Sequence, residues 1–169
     1  GWASASEPRC DFEHRPRLSR HAGVWILSLW QSSLMGQTLS EIKSDPEQVP
    51  HFAQAVSDFL LEIFGSSLSS GDWCVVTSPR RRHLERNFAH MVSSDIALRI
   101  GIPFYPDTAV CSTHQRVNAV FELGNNPLQT NVIVFDDIVT TGSTLSSMSN
   151  LLRPLGKNTL FVVGINNNR

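Results

Sequence analysis

Apolar side chains recur at helical spacing in three segments of the chain. The first segment, residues 49–63, follows Asp45-Pro46-Glu47. These residues supply a capping side chain, a proline suited to a first turn and an acid near the positive end of the helix dipole. Residues 84–100 and 145–152 show the same spacing, and a glycine closely follows each segment. The pattern therefore predicts three helices, at about residues 47–64, 83–100 and 143–153.

Short apolar runs predict β-strands at residues 73–76, 108–111, 132–135 and 160–163. Residues 24–35 are rich in Trp, Leu and Ile and fit either a helix or a pair of strands, of which we favour the helix. The rest of the stretch at residues 103–130 resembles a long loop, which in compact domains often serves function. Because strands alternate with helices, we predict an α/β domain with a largely parallel sheet.

Composition indicates a soluble globular domain. The chain has 169 residues, of which 41% are hydrophobic and 17% charged, and its net charge of −1 gives no global attraction to a polyanion. We predict a polar lead-in at residues 1–22, poorly ordered, and a single domain at residues 23–169. No apolar run reaches the roughly 20 residues of a membrane helix. The scattered Cys10, Cys74 and Cys111 argue against a disulfide framework or a zinc ribbon, and favour the cytoplasm.

Residues 132–144, VIVFDDIVTTGST, carry the clearest chemistry in the chain. If the apolar run is a strand, Asp136 and Asp137 begin a loop at its carboxyl end, where ligands of parallel α/β sheets bind. The N-terminus of the following helix, Gly142 and the hydroxyls of Thr140, Thr141, Ser143 and Thr144 would form a phosphate cradle. Carboxylates beside a phosphate suit sugar hydroxyls and Mg²⁺, so the expected ligand combines ribose, phosphate and a metal ion.

Three other interpretations of this segment are open. An apolar strand that ends in two acids also resembles a Walker B strand, but the chain has no GxxxxGK[ST] sequence to pair with it. The two acids could belong to a two-metal hydrolase, which needs further His or acidic ligands nearby. The acids and the Thr-Thr-Gly sequence could also be an ordinary turn followed by a helix cap.

The same residues resemble the phosphoribosyl pyrophosphate (PRPP) motif of type I phosphoribosyltransferases. The motif has four apolar residues, two acids, two variable positions and Thr-Thr-Gly-x-Thr, and every defining position is filled here. The resemblance implies a mostly parallel sheet of about five strands flanked by helices. It assigns Asp136 and Asp137 to the ribose hydroxyls and, indirectly through ligand or water, to Mg²⁺. It assigns the 5-phosphate to residues 140–144, which are Thr140, Thr141, Gly142, Ser143 and Thr144.

The family also needs a pyrophosphate loop, and the resemblance places it after the strand at residues 73–76. The candidate residues are Ser78, Pro79, Arg80 and Arg81, because arginine can hold phosphate oxygens bidentately. A solvated basic loop and a nucleic-acid contact are the alternatives. Phosphoribosyltransferases also close a loop over the reaction centre, and His114 and Arg116 are candidates for such a lid, with an ordinary surface connection as the alternative.

Within the family, the layout looks most like the ComF-type, competence-associated branch. Arg86 and Phe88 match an RGFNQ-like patch of that branch, whereas Asn87, Ala89 and His90 depart from it. The implied reaction is transfer of a phosphoribosyl group from PRPP to a nitrogen base with release of pyrophosphate. The alternatives are a non-catalytic PRPP- or nucleotide-binding regulator and a DNA-uptake accessory protein. The family resemblance also implies a homodimer, and a nucleobase as the second ligand.

Overall fold

The computed structural model describes residues 16–21, 23–31, 45–78, 88–111, 121–139 and 143–166. A six-stranded sheet forms its centre, in the order β1 (Arg17–His21), β2 (Val24–Gln31), β8 (Asn158–Asn166), β7 (Asn131–Val139), β3 (Trp73–Thr77) and β4 (Phe104–Tyr105). The pairs β2–β8, β8–β7, β7–β3 and β3–β4 are parallel, and β1–β2 is antiparallel. The α/β prediction with a mostly parallel sheet is confirmed, with one strand more than expected.

In the described part of the chain, three α-helices cover the sheet: α1 (Gln48–Phe64), α2 (Phe88–Ile100) and α3 (Ser143–Leu152). Short 3₁₀ turns follow at Gly65–Ser69 and Arg153–Leu155. The Asp45 side chain accepts the Glu47 amide at 3.0 Å just before α1 begins, as the helix-start sequence predicts. The predicted helices are therefore present. The part of the second one before Phe88 lies outside the described residues.

Two hydrophobic clusters lie on opposite faces of the sheet. Side chains of α1 and α2 pack against one face, which includes Val75, Ile133 and Phe135. Side chains of α3 pack against the other face, which includes Val132 and Val134. Because successive strand residues point to opposite faces, the central strands are apolar on both sides. Because helices cover both faces of the sheet, the ends of the strands are where the sheet meets solvent.

One local prediction was wrong. Residues 24–31 form strand β2 and not a helix, because this segment completes the sheet between β1 and β8. The preceding strand β1 lies inside the predicted lead-in and pairs with β2 along its length, so the described part of that segment is ordered by the sheet.

The predicted loop at residues 103–130 also contains structure. It holds β4 and an antiparallel pair, β5 (Ala109–Cys111) and β6 (Phe121–Leu123). The short strand expected near residues 108–111 is thus present. Among the described residues, none of the helices has the length and apolar character needed to cross a bilayer.

Candidate active site

The parallel strands β2, β3, β7 and β8 all end on one side of the sheet, here called the carboxyl edge. The two acids of the motif lie there, but they belong to β7 itself and do not begin a loop. The ladder to β8 continues through Asp136, Ile138 and Val139. The prediction that a loop starts at Asp136 is therefore wrong. Strand β7 continues beyond its apolar residues to Val139, because the neighbouring strand β8 is equally long and pairs with it.

The two carboxyl groups of Asp136 and Asp137 interact closely. Asp136 is partly buried, whereas Asp137 is only 7% exposed. The backbone amide of Asp137 donates to Oδ1 of Asp136 at 2.8 Å, and the side chains share a hydrogen bond. The shared hydrogen bond requires a proton on one of the two groups. When both are ionised they are like charges in contact, which is costly unless something else compensates.

Burial and the contact between the two acids change the pKa of Asp136. Burial raises the pKa of its carboxyl group well above the usual range, and the charge of Asp137 and the hydrogen bond between the carboxyls raise it further. Hydrogen bonds from the Ser78 hydroxyl and from the Asp137 amide act in the opposite direction. A cation or a set of hydroxyl donors at this edge would remove the same penalty.

Ser78 lies beside the acid pair. It follows β3 directly, and its backbone amide donates to the Phe135 carbonyl at 3.1 Å, one step beyond the register pair of Thr77 with Phe135. Ser78 is 6% exposed. The structure therefore brings together one residue of the predicted pyrophosphate loop and the first acid of the predicted ribose site.

Helix α3 begins at Ser143, as predicted, and follows β7 after three residues. The first backbone N–H groups of a helix have no partner within it and favour an anion. Thr144 is partly buried in this first turn. Several predicted site residues lie outside the described residues: Pro79, Arg80, Arg81, His114, Arg116, Thr140, Thr141 and Gly142.

An aromatic cluster supports the edge from the side of α1. The Phe52 ring lies 4.8 Å from Trp30, 5.3 Å from Phe88 and 6.1 Å from Phe135, measured between ring centroids. Gly164 of β8 makes room for it, because a Cβ there would lie 2.0 Å from Cζ of Phe52. The site predictions do not include this pair, although a glycine inside a strand is a known signal of close approach.

Comparison with solved structures identifies the architecture. One similar structure, a crystal structure of adenine phosphoribosyltransferase, has a TM-score of 0.57 at 18% identity and covers 93% of this chain and 86% of its own. The chain has the type I phosphoribosyltransferase fold. A second similar structure is adenine phosphoribosyltransferase from Saccharomyces cerevisiae, with a TM-score of 0.55, 17% identity and coverage of 93% and 85%. No family model matches this chain, and no curated protein matches its sequence.

Within the type I phosphoribosyltransferase fold, the acid pair occupies the carboxyl edge of an interior strand, with α3 directly after it. The described residues include no group of three or more His, Cys, Asp or Glu side chains that could hold a metal ion. As far as the described residues go, a divalent ion at the acid pair would therefore need most of its ligands from a bound molecule or from water. Mg²⁺ commonly binds in this manner, through one or two carboxylates and substrate phosphates.

Proposed function

We propose that this chain binds PRPP with Mg²⁺ at the carboxyl edge and transfers the phosphoribosyl group to a nitrogen base. The observation that carries the proposal is the pair Asp136–Asp137 near the carboxyl end of β7, in the strand that precedes α3. This order supports the proposal, because carboxylates accept hydrogen bonds from ribose hydroxyls and the first N–H groups of a helix favour a phosphate. The fold supports the proposal, because its solved examples include phosphoribosyltransferases.

The roles proposed for the residues follow from their chemistry. Asp136 and Asp137 accept hydrogen bonds from the ribose hydroxyls, and residues 140–144 with the α3 N-terminus hold the 5-phosphate. Arg80 and Arg81 hold the pyrophosphate, because the planar guanidinium can bind two phosphate oxygens at once. In the reaction, a bond from the base nitrogen to ribose C1 forms as the C1–oxygen bond breaks. Pyrophosphate leaves with the electrons of the broken bond. The nitrogen of the acceptor base then loses its proton to solvent or to a general base.

Magnesium fits the donors that are present. The two neighbouring carboxylates repel each other, and burial adds to the cost of charging Asp136, so a cation beside them is favourable. A bound Mg²⁺ would neutralise charge on the departing pyrophosphate. The chain's own contribution would be to orient the ribose and to hold both phosphate groups, which lowers the barrier through positioning.

The direct test is calorimetric titration of PRPP with Mg²⁺ into the wild type and the double variant Asp136→Asn/Asp137→Asn. Each lost charge-assisted hydrogen bond costs about 1.5–3 kcal/mol, so the variant should bind at least about tenfold more weakly. The matched control, Asp58→Asn/Asp95→Asn, removes two charges from α1 and α2 and should bind like the wild type. Absence of binding by the correctly folded wild type would refute the proposal.

Turnover separates an enzyme from a non-catalytic binder. Pyrophosphate release should be measured with a panel of bases that begins with adenine, because the yeast structure of this fold holds adenine with an iminoalditol bisphosphate. Release with one base would establish transfer and identify the acceptor. Tight PRPP binding without release from any base would favour a regulator. The ComF-type branch and the homodimer stay predictions, the second of which light scattering can test.

A further inference from the structure

The end of strand β3 places Ser78 directly across from Asp136. The last register pair of these strands is Thr77 with Phe135, and the Ser78 amide extends the ladder by donating to the Phe135 carbonyl at 3.1 Å. The next residues along the two segments are therefore opposite each other: Ser78, which follows β3, and Asp136 of β7. Residues opposite each other in a sheet project to the same face and lie within side-chain contact. The backbone hydrogen bond thus fixes the position of Ser78 independently of its side chain.

The Ser78 hydroxyl hydrogen-bonds the Asp136 carboxyl group, and Ser78 is 6% exposed. A serine hydroxyl has one proton, so it can donate to only one strong acceptor at a time. While the proton is directed to Asp136, it is not available to a phosphate oxygen. This arrangement favours another role for Ser78 than the sequence-based assignment to pyrophosphate.

We propose that Ser78 is a positioning residue for Asp136 and not a pyrophosphate ligand. The inference rests on the proposed function, since it specifies how the ribose acid of that site is held. An ionised carboxylate has about four lone-pair positions. The Asp137 amide occupies one at Oδ1, the Ser78 hydroxyl a second and the Asp137 carboxyl group a third, and together they fix the plane of the group. The remaining position is then directed to the ribose hydroxyls before the ligand arrives.

The test compares two partial ligands, ribose 5-phosphate and inorganic pyrophosphate with Mg²⁺, by calorimetry. The Ser78→Ala variant should bind ribose 5-phosphate about five- to tenfold more weakly and pyrophosphate within about twofold of the wild type. The Ser78→Thr variant keeps the hydroxyl and should recover most of the ribose 5-phosphate affinity. Weaker pyrophosphate binding by Ser78→Ala would overturn the inference.

A double-variant cycle shows whether Ser78 acts through Asp136. In the Asp136→Asn background, Ser78→Ala should change ribose 5-phosphate affinity by less than about twofold, because the group that it positions is already altered. Losses that multiply in the double variant would mean that Ser78 contacts the ligand itself. The control Thr77→Val removes the neighbouring hydroxyl, on the other face of β3, and should leave both affinities unchanged.

The two proposals fail in different ways. If the folded wild type binds neither ribose 5-phosphate nor PRPP, the proposed function fails and this inference fails with it. If the wild type binds both but the effects of Ser78→Ala and Asp136→Asn multiply, the function stands and only the positioning role is overturned. Thermal unfolding of each variant confirms that the compared proteins are folded.

Discussion

Replacement of Gly164 by alanine should disrupt the packing beside the acid pair. The flanking register pairs, Asp136 with Val163 and Ile138 with Ile165, place Gly164 beside Asp137. A Cβ at Gly164 would lie 2.0 Å from Cζ and 2.4 Å from Cε1 of Phe52, and 3.1 Å from the Asp137 carbonyl oxygen. Carbon atoms in contact prefer about 3.5–4.0 Å, so the ring would have to retreat by at least about 1.5 Å.

The Phe52 ring has no free space into which it can retreat. It is fully buried and contacts the rings of Trp30, Phe88 and Phe135. Extra volume in a well-packed core costs about 1–3 kcal/mol, and the immobility of this ring favours the upper end. For a domain of this size, about 3 kcal/mol corresponds to a fall in Tm of roughly 6–12 °C.

The decisive assay is a double-variant cycle measured by urea unfolding. Phe52→Leu alone should cost about 1–2 kcal/mol, because it leaves a small cavity. Leucine lacks the two ring atoms that clash, so Gly164→Ala should cost almost nothing more when Phe52 is already leucine. The expected coupling is therefore about 2–3 kcal/mol.

Gly156→Ala is the matched control. Its added Cβ meets nothing within 4 Å, so any cost arises from the positive φ of 74° and should not depend on Phe52. Additive behaviour of Gly164→Ala with Phe52→Leu, or wild-type stability of Gly164→Ala, would refute the packing argument.

Three further predictions concern charge and burial. Asp136→Asn should stabilise the ligand-free protein by about 1–2 kcal/mol in urea unfolding while it weakens PRPP binding, because it removes one of two repelling carboxylates. Burial raises the pKa of Cys74 to about 12 from 9.0, so stability should fall as the pH rises above about 9, and less so in Cys74→Ala. Lys157→Met should lower the free energy of unfolding by about 2 kcal/mol. It should also speed chymotrypsin cleavage at the exposed Leu128, because the Lys157 ammonium donates hydrogen bonds to the carbonyls of Pro127 and Gln129 on either side of that leucine.

Each of these predictions has an outcome that would contradict it. Equal or lower stability of Asp136→Asn would show that the acid pair is not a source of repulsion. Identical loss of stability between about pH 8 and about pH 10 in the wild type and Cys74→Ala would contradict the raised thiol pKa; Cys10 and Cys111 are present in both proteins and cancel. Unchanged proteolysis of Lys157→Met would show that the loop is held by other contacts.

Helix α1 and the acid motif were predictable because their signals are local. Asp45-Pro46-Glu47 and the spacing after it are read along one segment, and so is the run that ends in Asp136-Asp137. Strand β2 was not, since its residues 24–30 are apolar at every position except Ser28, including the 58% exposed Trp25, and so lack the polar alternation that distinguishes a half-buried strand from a helix. Strands of two or three residues, such as β4, are too short to show any period.

The partner of Asp136 could not be predicted, because it depends on the register of β3 against β7. Ser78 and Asp136 are far apart in the chain, and only the pairing of Thr77 with Phe135 brings them together. The approach of Phe52 to Gly164 likewise depends on how α1 packs over β8. Sequence analysis therefore yields candidate residues, and the sheet decides which of them meet.

Because the acids belong to an interior strand, the chain separates a constant part from a variable one. Strand β7 pairs with β3 as far as Phe135 and with β8 past the acids, so Asp136 and Asp137 are carried by sheet backbone and not by a surface loop. Segments after the strand ends can change in length and composition without loss of that pair. The scaffold is thus suited to the exchange of specificity loops, by evolution or by grafting, with the acid pair retained as a fixed anchor.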